Sequence, residues 1–234
     1  MPTATGFEDT GPRLSCHAGV RPWASPGHRD GAYDPNMVDY DATTALLVVD
    51  VQNDFADPAG SLYVSGGERL VEVVNGHVDR AARAGAIIVY TQDWHPGSTP
   101  HFQKDGGVWP VHCVGGTWGA QLQPSLRVVE HGDVIRKGTG GEDGYSAFSV
   151  RDPQSGVVSG TELDDLLRRS GVRGVVVVGL ATDYCVKETA LDAVRRGLEV
   201  AVVRDAIAAV DLEAGDGARA LDEMDDAGVV LSDS

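Results

Sequence analysis

Cys185 lies in Gly179-Leu180-Ala181-Thr182-Asp183-Tyr184-Cys185-Val186, just past an apolar run at 175–180 and at the start of a helical pattern. Unpaired N–H groups and the dipole at a helix N-terminus stabilise a thiolate, the nucleophilic form of cysteine. Thr182 and Asp183 are the candidate caps of that helix. Position alone leaves two readings open, a reactive thiol or the inert buried cysteine that is the commoner fate of a free Cys. Asp50 closes another apolar run, at 45–49; taken singly it fits a helix cap or an ion-pair partner equally well. Lys137, in Arg136-Lys137-Gly138, reads singly as a solvated lysine, because lysines are mostly exposed.

A second constellation is Asp93-Trp94-His95-Pro96, then His101, then Trp109-Pro110-Val111-His112-Cys113. One carboxylate and two or three imidazoles within twenty residues suit a divalent metal, and fewer than four strong protein ligands leave positions for water or substrate. Spacing leaves three alternatives: a catalytic metal, a structural metal in which Cys113 replaces a histidine, or no metal. His17, His28, His77 and His131 read as surface or loop residues, and Cys16 lies in an N-terminal tail. The glycines at 115–116 and 138–144 are in no phosphate-cradling order, and the acidic stretch 211–217 lacks calcium-loop spacing.

The elements that must carry these groups follow from hydrophobic period. Residues 45–49 form a continuous apolar run ending in a carboxylate, as expected of a central parallel strand buried on both faces. Leu70, Val71, Val74, Val78, Ala81 and Ala82 recur at helical spacing over 67–84, closed by Gly85. Strands are predicted at 86–91, 134–137, 175–180, 198–203 and 229–231, with helices at about 182–195 and 213–226. Repeated strand–helix units joined by right-handed crossovers predict a single-domain, three-layer α/β/α fold with a mainly parallel sheet. Ligands in such sheets bind outside the carboxyl ends of the strands, where Asp50, Asp93 and Cys185 all fall. The stretch 93–149 has little regular pattern beyond one strand and a possible shorter one, and so long an irregular segment is usually functional.

Residues 1–42 carry scattered Pro, Gly, Asp and His without period, the composition of a segment that cannot repay its ordering entropy. They are expected to be a disordered or loosely attached extension of a domain spanning 43–234. The 35 acidic against 19 basic residues, a net charge of −16, disfavour phosphate backbones and anionic lipid, so no nucleic-acid or membrane partner is expected. Three cysteines without a framework, strand-length apolar runs and no apolar leader point to a cytoplasmic protein. Monomer and homo-oligomer both stay open.

Six blocks in order, containing Val48-Val49-Asp50-Val51-Gln52-Asn53-Asp54-Phe55, Gln92-Asp93-Trp94-His95-Pro96, Trp109-Pro110-Val111-His112-Cys113-Val114, Lys137-Gly138, Tyr145-Ser146-Ala147-Phe148 and the stretch around Cys185, resemble the nicotinamidase (pyrazinamidase) branch of the isochorismatase-like cysteine hydrolases. The resemblance runs from about residue 44 to 234. It implies Asp50, Lys137 and Cys185 as a catalytic triad, and Asp93, His95 and His112 as ligands of one zinc, iron or manganese ion. His101 is left as either a further ligand or a place taken by water. A non-proline cis peptide is implied at Leu180–Ala181, an oxyanion hole at the N–H groups of Ala181 and Cys185, and substrate walls at Phe55 and Trp109. The implied reaction deamidates nicotinamide, with pyrazinamide a further candidate, through a thioester on Cys185. Asp50 acts as base, Lys137 favours the thiolate, and the metal orients the pyridine ring. The alternatives are a carbamoyl or ureido amidase, an isochorismatase, and a noncatalytic metal-binding or thiol-sensing relative.

Overall fold

The computed structural model describes residues 38–234. Of the expected extension, residues 1–37 lie outside the described part, together with His17, His28 and Cys16. Residues 38–42 lie against the domain: Val38 is buried in the core and the Tyr40 hydroxyl reaches Nδ1 of His77 at 2.7 Å. The Asp41 carboxylate accepts from Thr43 N–H at 2.8 Å and from the Thr44 hydroxyl at 3.0 Å, turning the chain into the first strand.

In chain order the elements are β1 (Thr44–Val49), α1 (Asn53–Ala56), α2 (Gly67–Ala84), β2 (Ile87–Asp93), β3 (Asp133–Lys137), β4 (Ser149–Arg151), β5 (Val158–Gly160), α3 (Leu163–Arg169), β6 (Gly174–Leu180), α4 (Lys187–Arg195), β7 (Glu199–Ala208), α5 (Asp216–Asp226) and β8 (Val230–Ser232). Six strands form one sheet in the order β3-β2-β1-β6-β7-β8, and every pairing in it is parallel. β1 and β6 lie at its centre and are buried along their whole length, as their unbroken apolar runs require. Side chains alternate faces along a strand. Leu46 and Val48 of β1 accordingly pack with Leu70, Val74 and Val78 of α2, whereas Ala45, Leu47 and Val49 pack with Leu163 and Leu167 of α3, Ala190 of α4 and Met224 of α5. Two helical layers therefore enclose the sheet, the three-layer arrangement expected.

α2 spans the predicted range, and Gly85, at φ 71°, closes it by donating to the Ala81 and Ala82 carbonyls. Ala82 nonetheless faces solvent, and His77, read as a surface histidine, is 1% exposed beneath Tyr40. The predicted helix at 182–195 is in two parts. Residues Thr182–Val186 form a π-turn, with Val186 N–H bonding the Ala181 carbonyl at 3.0 Å, and only Lys187–Arg195 is α-helical. Neither expected cap holds: the Asp183 carboxylate instead accepts from the N–H groups of Val210 (3.0 Å) and Asp211 (2.8 Å), tying the β7–α5 connection to this turn. The possible strand between β2 and β3 is reduced to isolated bridges, His95 with Val114 and Phe102 with Trp109. The antiparallel β4–β5 pair and α3 have no counterpart in the sequence reading. Among the described residues no helix is long and apolar enough to cross a membrane.

Candidate active site

The ends of four adjacent strands carry the site in a row. β3 ends at Lys137, β2 at Asp93, β1 at Val49 with Asp50 next, and β6 at Leu180 with the π-turn to Cys185 next. Lys137 and Asp93 are partners in the β2–β3 register. The Leu180–Ala181 peptide is cis, as the sequence resemblance implies. Asp50 leaves β1 at φ 48°, a left-handed conformation that Asp tolerates better than most side chains. Thr91 holds it there. Its Oγ1 accepts from Asp50 N–H at 3.1 Å and donates to Asp50 Oδ1 at 2.5 Å.

Lys137, read in isolation as a solvated lysine, is wholly buried. Its Nζ donates to Asp50 Oδ2 at 2.6 Å and to the Gly144 carbonyl at 2.6 Å, and lies 3.5 Å from Cys185 Sγ and 2.9 Å from Asp93 Oδ1. The Asp93 contact is an ion pair without hydrogen-bond alignment. One oxygen each of Asp50 and Asp93 and the sulfur of Cys185 lie within 4.8 Å of one another. One cation thus faces two carboxylates and a thiol. Burial draws the Lys137 ammonium down, but Asp50, Asp93 and Cys185 outweigh it and keep the group charged. Burial also raises both carboxyls. At Asp93 it is overcome by Lys137 and the neighbouring imidazoles, which hold the group well below the usual carboxylate range. At Asp50 burial prevails over Lys137, with the Asp93 charge adding to it, so its carboxyl is raised. Two acids pushed apart in this way can divide the labour, one permanently charged and one able to exchange a proton. Burial lifts the Cys185 thiol well above its ordinary value, with Lys137 opposing and Asp50 adding. Such a shift favours the thiol form, and a thiol acting as a nucleophile would need an adjacent base.

Beside Asp93, one ring nitrogen each of His95, His101 and His112 converges within 4.8 Å. Asp93 Oδ2 lies 3.8 Å from His95 Nε2 and 3.9 Å from His112 Nε2. The arrangement fits a cation. His112 Nδ1 bonds the Pro110 carbonyl at 2.8 Å and His101 Nδ1 bonds Asp143 Oδ1 at 2.7 Å, which leaves Nε2 of each as a bare acceptor. Among the described residues neither ring nitrogen of buried His95 has a hydrogen-bond partner, and a bound metal would satisfy one of the two. Gly138, at φ 72°, lets the chain pass against this ring, since a Cβ there would stand 2.7 Å from His95. Cys113 is not in the cluster: its sulfur faces the Gly119 carbonyl at 3.9 Å, and its N–H donates to Asp54 Oδ2 at 2.7 Å.

Between the two groups opens a small cleft that includes Phe55, Trp109, Tyr145, Tyr184 and Val210 among its walls. Trp109 packs edge-on to Tyr184 with ring centroids 4.9 Å apart, and its Nε1 donates to the Tyr145 hydroxyl at 2.9 Å. Phe55 meets His112 at 5.5 Å. Ala181 and Cys185 form part of the wall beside them.

The isochorismatase domain model matches residues 44–234, from the first strand to the last residue. The chain belongs to the isochorismatase family. Within that family it is 42% identical over 192 residues to the nicotinamidase/pyrazinamidase of Mycobacterium tuberculosis, an alignment covering 80% of this chain and 97% of the relative. Several solved structures share its fold. The pyrazinamidase of Pyrococcus horikoshii in complex with zinc superposes with TM-score 0.74 at 38% identity, over 82% of this chain and 99% of the other. PnC1 of L. infantum in complex with nicotinate gives 0.76 at 40%, over 84% and 96%.

The structure of this isochorismatase-family chain brings together Asp50, Lys137 and Cys185 and, next to them, Asp93, His95 and His112. It adds His101, which the sequence left open. Sequence reasoning also missed Thr91, Asp143, Tyr145 and Tyr184. The two tyrosines stood inside blocks already singled out, Tyr145-Ser146-Ala147-Phe148 and Thr182-Asp183-Tyr184-Cys185, and that placement was the available signal.

Proposed function

We propose that this chain hydrolyses the carboxamide of nicotinamide, giving nicotinate and ammonia through a thioester on Cys185, with pyrazinamide a second substrate of the same cleft. The observation that carries the reading is Lys137 Nζ, buried between Asp50 Oδ2 at 2.6 Å and Sγ of Cys185 at 3.5 Å, the cysteine itself lining an aromatic cleft. The relatives named nicotinamidase and pyrazinamidase support the substrate.

The ring lies between Phe55 and Trp109, with Tyr184 bracing the indole. Asp93, His95, His101 and His112 are the residues to hold a divalent ion, and their imidazole and carboxylate donors suit zinc, iron or manganese. Such an ion would supply a Lewis acid able to orient a pyridine nitrogen. Asp50, whose raised carboxyl makes it the stronger base of the two acids, takes the Cys185 proton, while Lys137 offsets the charge on sulfur. Sulfur attacks the amide carbon, and the carbonyl electron pair moves onto oxygen. The N–H groups of Ala181 and Cys185 bind that oxyanion. On collapse the C–N bond breaks and Asp50 returns its proton to nitrogen, releasing ammonia. Asp50 then deprotonates a water that attacks the thioester; on collapse the C–S bond breaks, Asp50 returns that proton to the Cys185 sulfur, and nicotinic acid leaves and ionises to nicotinate.

The test is ammonia and nicotinate release from nicotinamide by the zinc-loaded chain and by Cys185→Ala. Equal amounts of both products are expected from the unchanged chain. Cys185→Ala should bind zinc, retain its melting temperature within a few degrees, and release neither. Turnover by Cys185→Ala, or none by the unchanged chain, refutes the scheme.

A further inference from the structure

Gly141, Asp143, Gly144 and Tyr145 bond the site or the loop that carries His101 without belonging to any strand or helix. The Gly141 carbonyl accepts from the Thr99 hydroxyl at 2.8 Å, and Asp143 Oδ1 accepts from His101 Nδ1 at 2.7 Å, so two bonds clamp the loop that carries His101. The next residue, Gly144, takes Lys137 Nζ at 2.6 Å, and Tyr145 takes Trp109 Nε1 at 2.9 Å. Asp143 is itself fixed by a reciprocal backbone pair with Arg151, 2.8 Å in both directions, at the end of β4. The β4–β5 pair, otherwise peripheral, is what holds Asp143 at this depth.

A carboxylate on one ring nitrogen of an imidazole fixes the tautomer, aims the opposite nitrogen and raises its basicity as a ligand. His101 needs this help more than Asp93 or His95 does, because it sits on an irregular loop, whereas Asp93 closes β2 and His95 lies two residues beyond it. We propose that Asp143 is a positioning residue that directs His101 Nε2 into the metal site and sets the affinity of the chain for its divalent ion. The proposal rests on the metal reading above and extends it to a residue outside the candidate ligand set.

Zinc affinity, measured by competition with a chromophoric chelator on the full chain, reads this directly. Asp143→Ala should bind zinc 10- to 100-fold more weakly than the unchanged chain. Asp143→Asn, which keeps an acceptor without the charge, should fall between the two. Alkylation of Cys185 by iodoacetamide, compared between unchanged and variant chains with zinc removed from both, should proceed at the same rate, which shows that the fold around Lys137 is intact. Hydrolysis by the variants should recover toward the unchanged kcat when zinc is raised above their own Kd. Zinc affinity within twofold of the unchanged chain in both variants overturns the proposal while leaving the metal site standing. An unchanged chain that binds no zinc, iron or manganese stoichiometrically overturns both.

Discussion

Thr91 and Asp50 are joined twice, the threonine oxygen taking the Asp50 N–H at 3.1 Å and giving its own proton to Asp50 Oδ1 at 2.5 Å. The proposed base is thus fixed by a hydroxyl on the adjacent strand. Thr91→Val keeps the shape of the side chain and leaves a buried N–H and a buried carboxylate oxygen short of partners, at about 1–3 kcal/mol. Expected are a lower denaturation midpoint and a kcat reduced by about tenfold, since a loss of about 1.4 kcal/mol at the transition state is tenfold in rate. An unchanged kcat would show that Thr91 serves stability alone.

Removing the shared cation is predicted to be far more damaging. Lys137→Met leaves Asp50 and Asp93 buried without their common partner, and breaking a buried pair from one side costs about 3–5 kcal/mol. The variant should unfold at a markedly lower urea concentration, and the companion Asp50→Asn, Lys137→Met chain should recover part of the loss. Failure of the double variant to recover any stability would place the effect in packing and not in charge.

His95→Ala, His101→Ala and His112→Ala should each lose stoichiometric metal, measured by elemental analysis after dialysis. The sequence alone made His101 the weakest candidate, but its ring nitrogen lies within the same 4.8 Å cluster as the other two. Its removal is therefore expected to resemble theirs, and full metal content in His101→Ala would return that position to water.

Stability should fall with acid through His77. Burial first, and then the Arg80 guanidinium, hold this imidazole at about 4, against 6.5 ordinarily, with Asp205 pulling weakly the other way. Between those values the unfolded chain takes up a proton that the folded one refuses. The stabilisation is whole above pH 6.5 and lost as pH falls toward 4, by at most about 3 kcal/mol. Urea midpoints between pH 7.5 and 4 should decline less steeply in His77→Gln than in the unchanged chain; parallel curves would remove His77 as the cause.

A chain beginning at Met37 keeps Val38 in the core and Tyr40 on His77. We expect it to bind metal and turn over nicotinamide with unchanged constants and a melting temperature within a degree or two, where about 1 kcal/mol would shift a domain this size by roughly 2 to 4 °C. A loss of several degrees or a raised KM would assign residues 1–36 a structural role.

Much of this was legible because buried parallel strands leave a dense record. The unbroken runs of β1 and β6 and the helical repeat of α2 each pointed to one element, and strand ends located Asp50, Asp93 and Cys185. What escaped depends on neighbours that only the sheet supplies. Thr91 reads as one more residue of β2 until β1 lies beside it. Asp183 looks like a helix cap until the chain returns at Val210 and Asp211 to claim its carboxylate. α3 buries only Leu163 and Leu167, too few to mark a helical stripe, and β5 is exposed throughout, so neither carries a hydrophobic period.

The strand order has a consequence for how the molecule is made. β1 pairs with β2 on one side, an element that follows it closely, but its other partner is β6, with Thr44 opposite Gly174. On the ribosome, the edge of β1 that β6 will cover has no strand to pair with until residues 174–180 have left the exit tunnel. Through that interval the nascent chain presents the unpaired edge of a largely apolar strand, the kind that recruits other chains. Polypeptides stopped short of residue 174 should therefore collect on holdase chaperones or aggregate, and release to the soluble fraction should begin only in chains long enough to deliver β6.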